Sequence, residues 1–325
     1  MLRFHNAVVD RLRADPAHAG KTSKQIFRLA QRQVRWHYQW IIAHEFLPLT
    51  IGQERVDALL RDGPRFYNAE RERPARPLQN GRRDPKIPVE FSAAAYRFGH
   101  SQVRPSYRLN FGADVKLGGT PFFAFVLDDR KDTNAAADPN DLRGGKRAPR
   151  RFVDWQTFFN FGDGNSRPNK RIDTKLSSVL MQLPGSPPGL PSPGLPSDGV
   201  QSLASRNLIR HVNFGLPSGQ DIANRIRVPV LTPAQLTELK SSGMDRSTPL
   251  WYYILKEAEV MEQGLRLGPV GSCIVGEVFI GLLKADPTSY LAARPGWKPE
   301  LPSKLPGDFR MTDLLMFAGV VPPLN

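Results

Sequence analysis

Apolar residues recur every three or four positions along much of this chain, which is the spacing of one helix face. The stripes predict helices over residues 2–12, 24–46, 233–241 and 250–262. Asp15-Pro16 is expected to end the first helix, and Thr22 or Ser23 can cap the second. Pro48 is expected to stop the second helix. The pattern therefore predicts a mainly α fold, with at most a short strand within residues 111–127.

One further segment, residues 267–283, is almost uniformly apolar and is predicted to form a buried helix. Gly271 and Gly276 would let neighbouring helices approach it closely. Cys273 is expected to be an inert core residue. It is the only cysteine, so no disulfide can form within the chain, which leaves the compartment undetermined.

Long polar segments separate the helices. Residues 62–88 and 128–151 are rich in charged residues, proline and glycine, and are predicted to be surface loops. In the low-complexity loop at residues 183–199, Pro-Gly-Leu-Pro-Ser occurs twice in tandem, which excludes helix and sheet there. A tolerated insertion is the main interpretation, and a polyproline docking site is the alternative. Residues 172–180 are a further helix candidate, and residues 152–161 resume an amphipathic pattern.

The composition describes one large domain, or two ordinary ones, with enough apolar residues for a core: 325 residues, 40% hydrophobic. A single domain over residues 1–325 is the preferred interpretation. Lysine and arginine number 45 against 31 acidic residues, a net charge of +14. The basic residues are spread among acidic ones, so most of this charge is expected on the solvated surface, with anionic partners as the alternative. No nucleic-acid motif, membrane-spanning run or N-terminal signal core is recognised.

The segment most suggestive of chemistry is residues 90–107, a predicted short helix that Pro105 prevents from running further. His100 stands near its end, flanked by Arg97 and Arg104. An imidazole between two arginines suits a planar anionic cofactor, because the ring supplies a ligand and the arginines meet carboxylates. A hydrogen-bonded structural histidine explains the same residues, so both readings stay open on this pattern alone.

The amino-acid sequence of this segment resembles a known motif. Ala-Ala-Tyr-Arg-Phe-Gly-His-Ser, residues 94–101, is similar to the proximal-histidine motif of the animal-type haem peroxidases, in the peroxidase–cyclooxygenase superfamily. The resemblance implies that His100 is the axial ligand of haem iron. It also implies that Arg97 pairs with a haem propionate.

A second segment, residues 202–218, carries Asn207 and Arg210 three positions apart, hence on one helix face. An ordinary surface helix would explain that spacing. The string also resembles the family pattern Leu-x-x-x-Asn-(Leu/Met)-x-Arg-x-Arg-x-x-Gly-Leu-Pro. The resemblance implies that Asn207 accepts the outer N–H of His100 and that Arg210 faces a propionate. Residues 211–213, His-Val-Asn, stand where the family has a second arginine and an aspartate, which puts the local salt-bridge network in doubt.

The resemblance extends over five separated blocks in family order and so covers nearly the whole chain. It implies a haem-peroxidase-like helical domain, and a haem-binding oxidoreductase that uses hydrogen peroxide to oxidise a small donor. One alternative is a non-catalytic haem-binding or interaction module. Another is a fatty-acid dioxygenase of the same superfamily, and a nucleic-acid binder is the least favoured.

The distal side of a peroxidase site is not recognised in these residues. The family places a His-Asp pair, a distal arginine and a calcium loop before the block that matches residues 2–12. None of the six histidines here is followed by aspartate, so no distal catalytic residue and no calcium site is assigned. The expectation is a proximal-side portion with weak peroxidase activity. The compartment and oligomeric state stay open.

Overall fold

A computed structural model describes residues 1–73, 84–111, 120–121, 153–181, 183 and 200–321. Helices dominate these residues, and the strands are a two-residue antiparallel pair in which Ser106 is opposite Pro121 and Tyr107 opposite Thr120. The predicted mainly α fold class is therefore confirmed.

Ten α-helices are formed by the described residues. They are α1 Leu2–Ala14, α2 Ser23–Ile41, α3 Leu47–Ile51, α4 Gln53–Asp62, α5 Leu203–Asn213, α6 Gly219–Ile226, α7 Leu250–Glu262, α8 Pro269–Ala285, α9 Tyr290–Ala293 and α10 Met311–Phe317. π-helical turns occupy Ile42–Phe46 and Glu90–Ala94, and 3-10 segments occupy Pro16–His18, Ala95–Gln102, Trp155–Thr157, Ser178–Met181 and Pro233–Ser242. The two short strands are β1 Ser106–Tyr107 and β2 Thr120–Pro121.

The chain groups into two compact units. The first consists of residues 1–45, 104–168 and 289–325, and the second of residues 46–103 and 169–288. Each is described by itself below. The single domain expected from the sequence stays a prediction.

The core of the first unit lies between α1, α2 and α10. Phe4 and Phe309 are fully buried and stack with ring centroids 6.0 Å apart. Asp15 is extended and ends α1 where the Asp-Pro pair predicted. Thr22 and Gln25 bond each other's backbone N–H and begin α2 with a capping box, as expected for a threonine at that position.

The core of the second unit is built on α7 and α8. A Cβ added at Gly271 would lie 2.9 Å from Ile254 Cγ2, and one at Gly276 would lie 2.6 Å from Leu59 Cδ1. Both distances are shorter than a van der Waals contact, so the glycines allow the close helix approach that the sequence predicted. Most residues along α8 are buried, which confirms the buried apolar helix.

Pro48 does not stop a helix, contrary to the sequence-based expectation. The α-helical geometry of α2 ends at Ile41, a π turn follows, and Pro48 sits in the first turn of α3. A first-turn residue has no intrahelical acceptor for its N–H, so proline is tolerated there. Thr50 Oγ1 also donates to Phe46 O at 2.7 Å.

The helix predicted for residues 172–180 is wrong except for a 3-10 turn at its end. The N–H of Ile172 donates to Gly264 O at 2.8 Å, and Thr174 Oγ1 donates to Glu259 Oε2 at 3.2 Å. These bonds tie the segment to distant backbone and side chains, so its apolar spacing does not become helical. The amphipathic stretch 152–161 likewise forms only one 3-10 turn in its described part.

Residues 184–199 of the low-complexity loop, including both copies of Pro-Gly-Leu-Pro-Ser, lie outside the described residues. The N–H of Leu183 donates to Gln201 O at 3.0 Å. Of the region where a short strand was expected, residues 120–121 form β2, and residues 112–119 and 122–127 are outside the description.

Candidate functional site

His100 lies in the last turn of a helical segment that is not a regular α-helix. Glu90–Ala94 forms a π turn and Ala95–Gln102 continues as 3-10 helix, with Ala94 at φ −130° and ψ −70° between them. A π turn contains more residues than an α turn and a 3-10 turn fewer, so the junction re-aims the side chains that follow. Val103 is extended, and the segment ends before Pro105 as predicted.

Asn207 and His100 meet across the second unit, although 107 positions separate them. Asn207 Nδ2 lies 2.9 Å from His100 Nδ1. Asn207 is 1% exposed on α5, whereas His100 is half-buried. Among the described residues, no hydrogen bond engages the other ring nitrogen of His100, Nε2.

Two arginines surround this pair. Arg97 is half-buried, and its Nε donates to Ser92 O at 2.9 Å. Burial lowers the pKa of Arg97, and the positive charge of Arg210 lowers it further. Desolvation also lowers the pKa of His100 to about 4, with contributions from Arg97 and Arg210. The imidazole is therefore neutral at physiological pH, beside two guanidinium groups close enough to repel each other.

Backbone anchors hold the His100 segment, and sequence reasoning missed them. Trp251, on α7 and 3% exposed, donates its indole N–H to Arg97 O at 3.3 Å. The ammonium of Lys170 donates an N–H to Ser101 O at 2.7 Å. No local pattern in the sequence predicts either contact, because the partners are 154 and 69 positions apart.

Two residues near the proposed motifs have other partners. Arg104 Nη2 donates to Pro168 O at 2.6 Å, within the first unit. His211, which stands in the region of the family's second arginine, accepts the N–H of Leu250 on Nδ1 at 3.4 Å. It thus fixes the start of α7, and burial lowers its pKa.

His37 is a core residue of the first unit. It is fully buried, its Nδ1 lies 2.7 Å from Gln33 O, and its Nε2 accepts the N–H of Leu301 at 3.4 Å. Both ring nitrogens are engaged, and desolvation lowers the pKa of His37 to about 4. An engaged, neutral ring cannot move a proton to or from a substrate.

Cys273, on α8, is half-buried, and desolvation raises the pKa of its thiol to about 12. It stays protonated at neutral pH, and a thiol is a far weaker nucleophile than a thiolate. No group of three or more His, Cys, Asp or Glu side chains converges as a metal site in the part of the chain described. No described helix is long and apolar enough to cross a bilayer.

Comparison with known proteins shows which family the chain resembles. Residues 1–120 match the family model described as animal haem peroxidase. Over these residues the chain is similar to that family. The fold agrees: peroxidase A from Dictyostelium discoideum superposes with a TM-score of 0.51 over 100% of this chain and 51% of its own, at 18% identity, which speaks to the fold alone.

Two relatives match over most of the chain. A peroxidase-like protein of Margaritifera margaritifera is 28% identical over 91% of this chain and 36% of its own length. A chorion peroxidase of Aedes aegypti is 23% identical over 90% of this chain and 32% of its own length. The chain therefore spans about a third of the curated relatives that it matches.

Proposed function

We propose that this protein binds haem on the face presented by His100 and Asn207, with His100 as the axial iron ligand. The reaction we assign is the hydrogen-peroxide-dependent oxidation of a small donor. The observation that carries the proposal is the 2.9 Å contact between His100 Nδ1 and the buried amide of Asn207, with two arginines beside it.

The state of the ring supports iron ligation. A metal-binding histidine must be neutral. Desolvation, together with the charges of Arg97 and Arg210, lowers the pKa of His100 to about 4. The ring nitrogen Nε2 has no hydrogen-bond partner among the described residues. It is therefore available to a ligand.

The amide of Asn207 can fix the tautomer. Its buried Oδ1 has no hydrogen-bond partner among the described residues. A side-chain amide can present either its nitrogen or its oxygen to the ring. With the oxygen towards Nδ1, the amide accepts the Nδ1–H, satisfies its unpaired oxygen and leaves the lone pair of the ring on Nε2.

The two arginines fit a dianionic group. Arg97 and Arg210 repel each other and neither has a carboxylate partner among the described residues. Desolvated like charges are destabilising unless anions neutralise them. Haem propionates are carboxylates with the charge that such a pair requires, and arginine pairs with carboxylates in charge-assisted hydrogen bonds.

Haem, when bound, supplies the iron chemistry of peroxide-dependent oxidation. The residues of this chain would hold and orient it: His100 would offer Nε2, Asn207 would keep the proton on Nδ1, and Arg97 with Arg210 would pair with the propionates. No distal acid–base residue is assigned among these residues. The partners proposed are hydrogen peroxide and a small donor, and no nucleic acid.

The test is reconstitution of the chain with haemin, followed by optical and electron paramagnetic resonance spectra. We expect a histidine-ligated spectrum that His100→Ala loses and that added imidazole restores, because imidazole can occupy the space left by the ring. His211→Ala is the matched control, since it removes a partly buried histidine of the same unit that has another partner. If His100→Ala keeps the wild-type Soret band and spin state, another residue binds the iron and the assignment is wrong.

A further inference from the structure

We infer that Lys170 is a positioning residue for His100, acting through the backbone that carries the imidazole. The inference rests on the proposed role of His100 and adds to it a residue outside both recognised motifs. Lys170 lies two residues before Ile172, where a helix was wrongly predicted to begin.

The ammonium of Lys170 uses all three of its N–H donors. It bonds Ser101 O at 2.7 Å, Lys175 O at 2.8 Å and Asp173 Oδ1 at 3.0 Å. An ammonium group has three donors and no acceptor, so its geometry is completely specified by these partners. The Lys170 side chain is 26% exposed, and Asp173 is 22% exposed.

The bond to Ser101 O lies in the last turn of the 3-10 segment that carries His100. Ser101 follows His100 directly, at the end of the 3-10 segment, where carbonyls lack helical donors. A cation at a helix C-terminus satisfies such carbonyls and interacts favourably with the helix dipole. The peptide plane between Ser101 and Gln102 is therefore fixed, one residue beyond the imidazole.

A second hydrogen bond joins the same two segments in the opposite direction. Gln102 Nε2 donates to Lys170 O at 3.0 Å, so the 3-10 segment binds the backbone of Lys170 while the ammonium of Lys170 binds the 3-10 segment. Ser101 is fully buried, and its Oγ donates to Phe98 O at 2.8 Å. The end of the segment thus has few ways to rotate while these bonds persist, and His100 keeps one direction towards Asn207.

The experiment compares Lys170→Met with Lys256→Met in the full 325-residue chain. Methionine removes the ammonium and keeps an unbranched side chain. Lys256 is the control, because it is 16% exposed, belongs to the same unit and pairs with Glu238 at 3.0 Å and Glu259 at 3.8 Å instead of the backbone beside His100. Two properties are measured: the imidazole NMR signals of His100 in the haem-free protein, assigned with His100→Ala, and the affinity and reduction potential with haemin.

We expect Lys170→Met to shift or broaden the His100 signals and to weaken haemin binding by about 10-fold, the lower end for residues that orient a metal ligand. Lys256→Met should leave both properties at wild-type values. If the two variants behave alike in the haem-free spectra, Lys170 does not position His100 and the inference fails. Should Lys170→Met not fold, Gln102→Leu removes the return contact alone and must move the same signals in the same direction.

The two proposals fail in different ways. If the wild-type chain does not bind haemin through His100, the proposed function fails, but the haem-free spectra still decide whether Lys170 orients the ring. If haemin binds through His100 and both lysine variants give unchanged His100 signals and potentials, only the positioning role is overturned.

Discussion

Replacing Asn207 by leucine separates a role in folding from a role in ligand orientation. Leucine has the same number of side-chain heavy atoms, branched at the same position, and cannot hydrogen-bond. The change deletes the 2.9 Å contact with His100 Nδ1 and also removes the buried amide, of which only one polar atom faces the ring. These two consequences act in opposite directions on the free energy of unfolding.

The haem-free protein should change little in stability. Losing a typical hydrogen bond costs about 0.5–1.5 kcal/mol, whereas removing an unsatisfied buried polar atom recovers about 1–3 kcal/mol. His100 is half-buried, so water can reach part of the ring and limit the cost of leaving Nδ1 unpaired. We therefore expect the free energy of unfolding to change by about 1 kcal/mol or less.

Haemin binding should change much more. Residues that orient a metal-ligating histidine are typically worth about 10- to 100-fold in metal affinity or activity. That range corresponds to about 1.4–2.7 kcal/mol, lost in the bound state only. Urea unfolding of the haem-free chain and a haemin titration followed at the Soret band measure the two effects separately.

Two companion variants sharpen this prediction. Asn213→Leu changes an exposed asparagine of the same helix and should leave haemin affinity unchanged. Asn207→Asp places a stronger acceptor beside Nδ1–H, makes the ring more basic and should lower the reduction potential. The reasoning is refuted if Asn207→Leu matches Asn213→Leu in both haemin affinity and potential.

Three further predictions concern stability and turnover. Desolvation raises the pKa of Glu257 from its usual 4.5 to about 7, against the lowering effect of the N–H groups of Val270 and Gly271. The folded chain then retains a proton that the unfolded chain releases between pH 4.5 and 7, so this stabilising contribution is complete below about pH 4.5 and is lost as the pH rises through 7. Glu257→Gln should flatten that dependence, by up to about 3 kcal/mol, in urea unfolding from pH 4 to 8; an unchanged slope would contradict it. Gly219→Ala should destabilise by about 1–3 kcal/mol, because its Cβ would lie 1.9 Å from Tyr253 Cγ. Gly99→Ala, with no atom within 4 Å of the added Cβ, should change stability by about 1 kcal/mol or less, and equal urea midpoints for the two variants would refute the packing argument. The 325-residue chain, loaded with haemin, should oxidise guaiacol at least about 100-fold more slowly than an animal haem peroxidase that has a distal histidine and arginine, because no distal acid–base group is assigned among these residues. Turnover within about tenfold of that enzyme would show that another residue moves the proton.

The sequence by itself determined the helices that depend on local bonds. Asp15 and Pro16 end α1, Thr22 with Gln25 begins α2, and the apolar spacing marks α7 to the residue. The reason is that caps and helix faces involve residues three or four positions apart, which a linear pattern contains. The resemblance of residues 94–101 to a family motif is visible for the same reason, since those residues are contiguous.

The tertiary structure decided whatever depends on residues far apart in the chain. It made a π turn and a 3-10 segment of the predicted helix that carries His100, and it kept most of residues 172–180 out of a helix. It also brought Asn207 to His100 across 107 positions and Lys170 to Ser101 across 69. Such contacts depend on how helices pack and on which buried polar groups find partners, and neither leaves a periodic trace in the sequence.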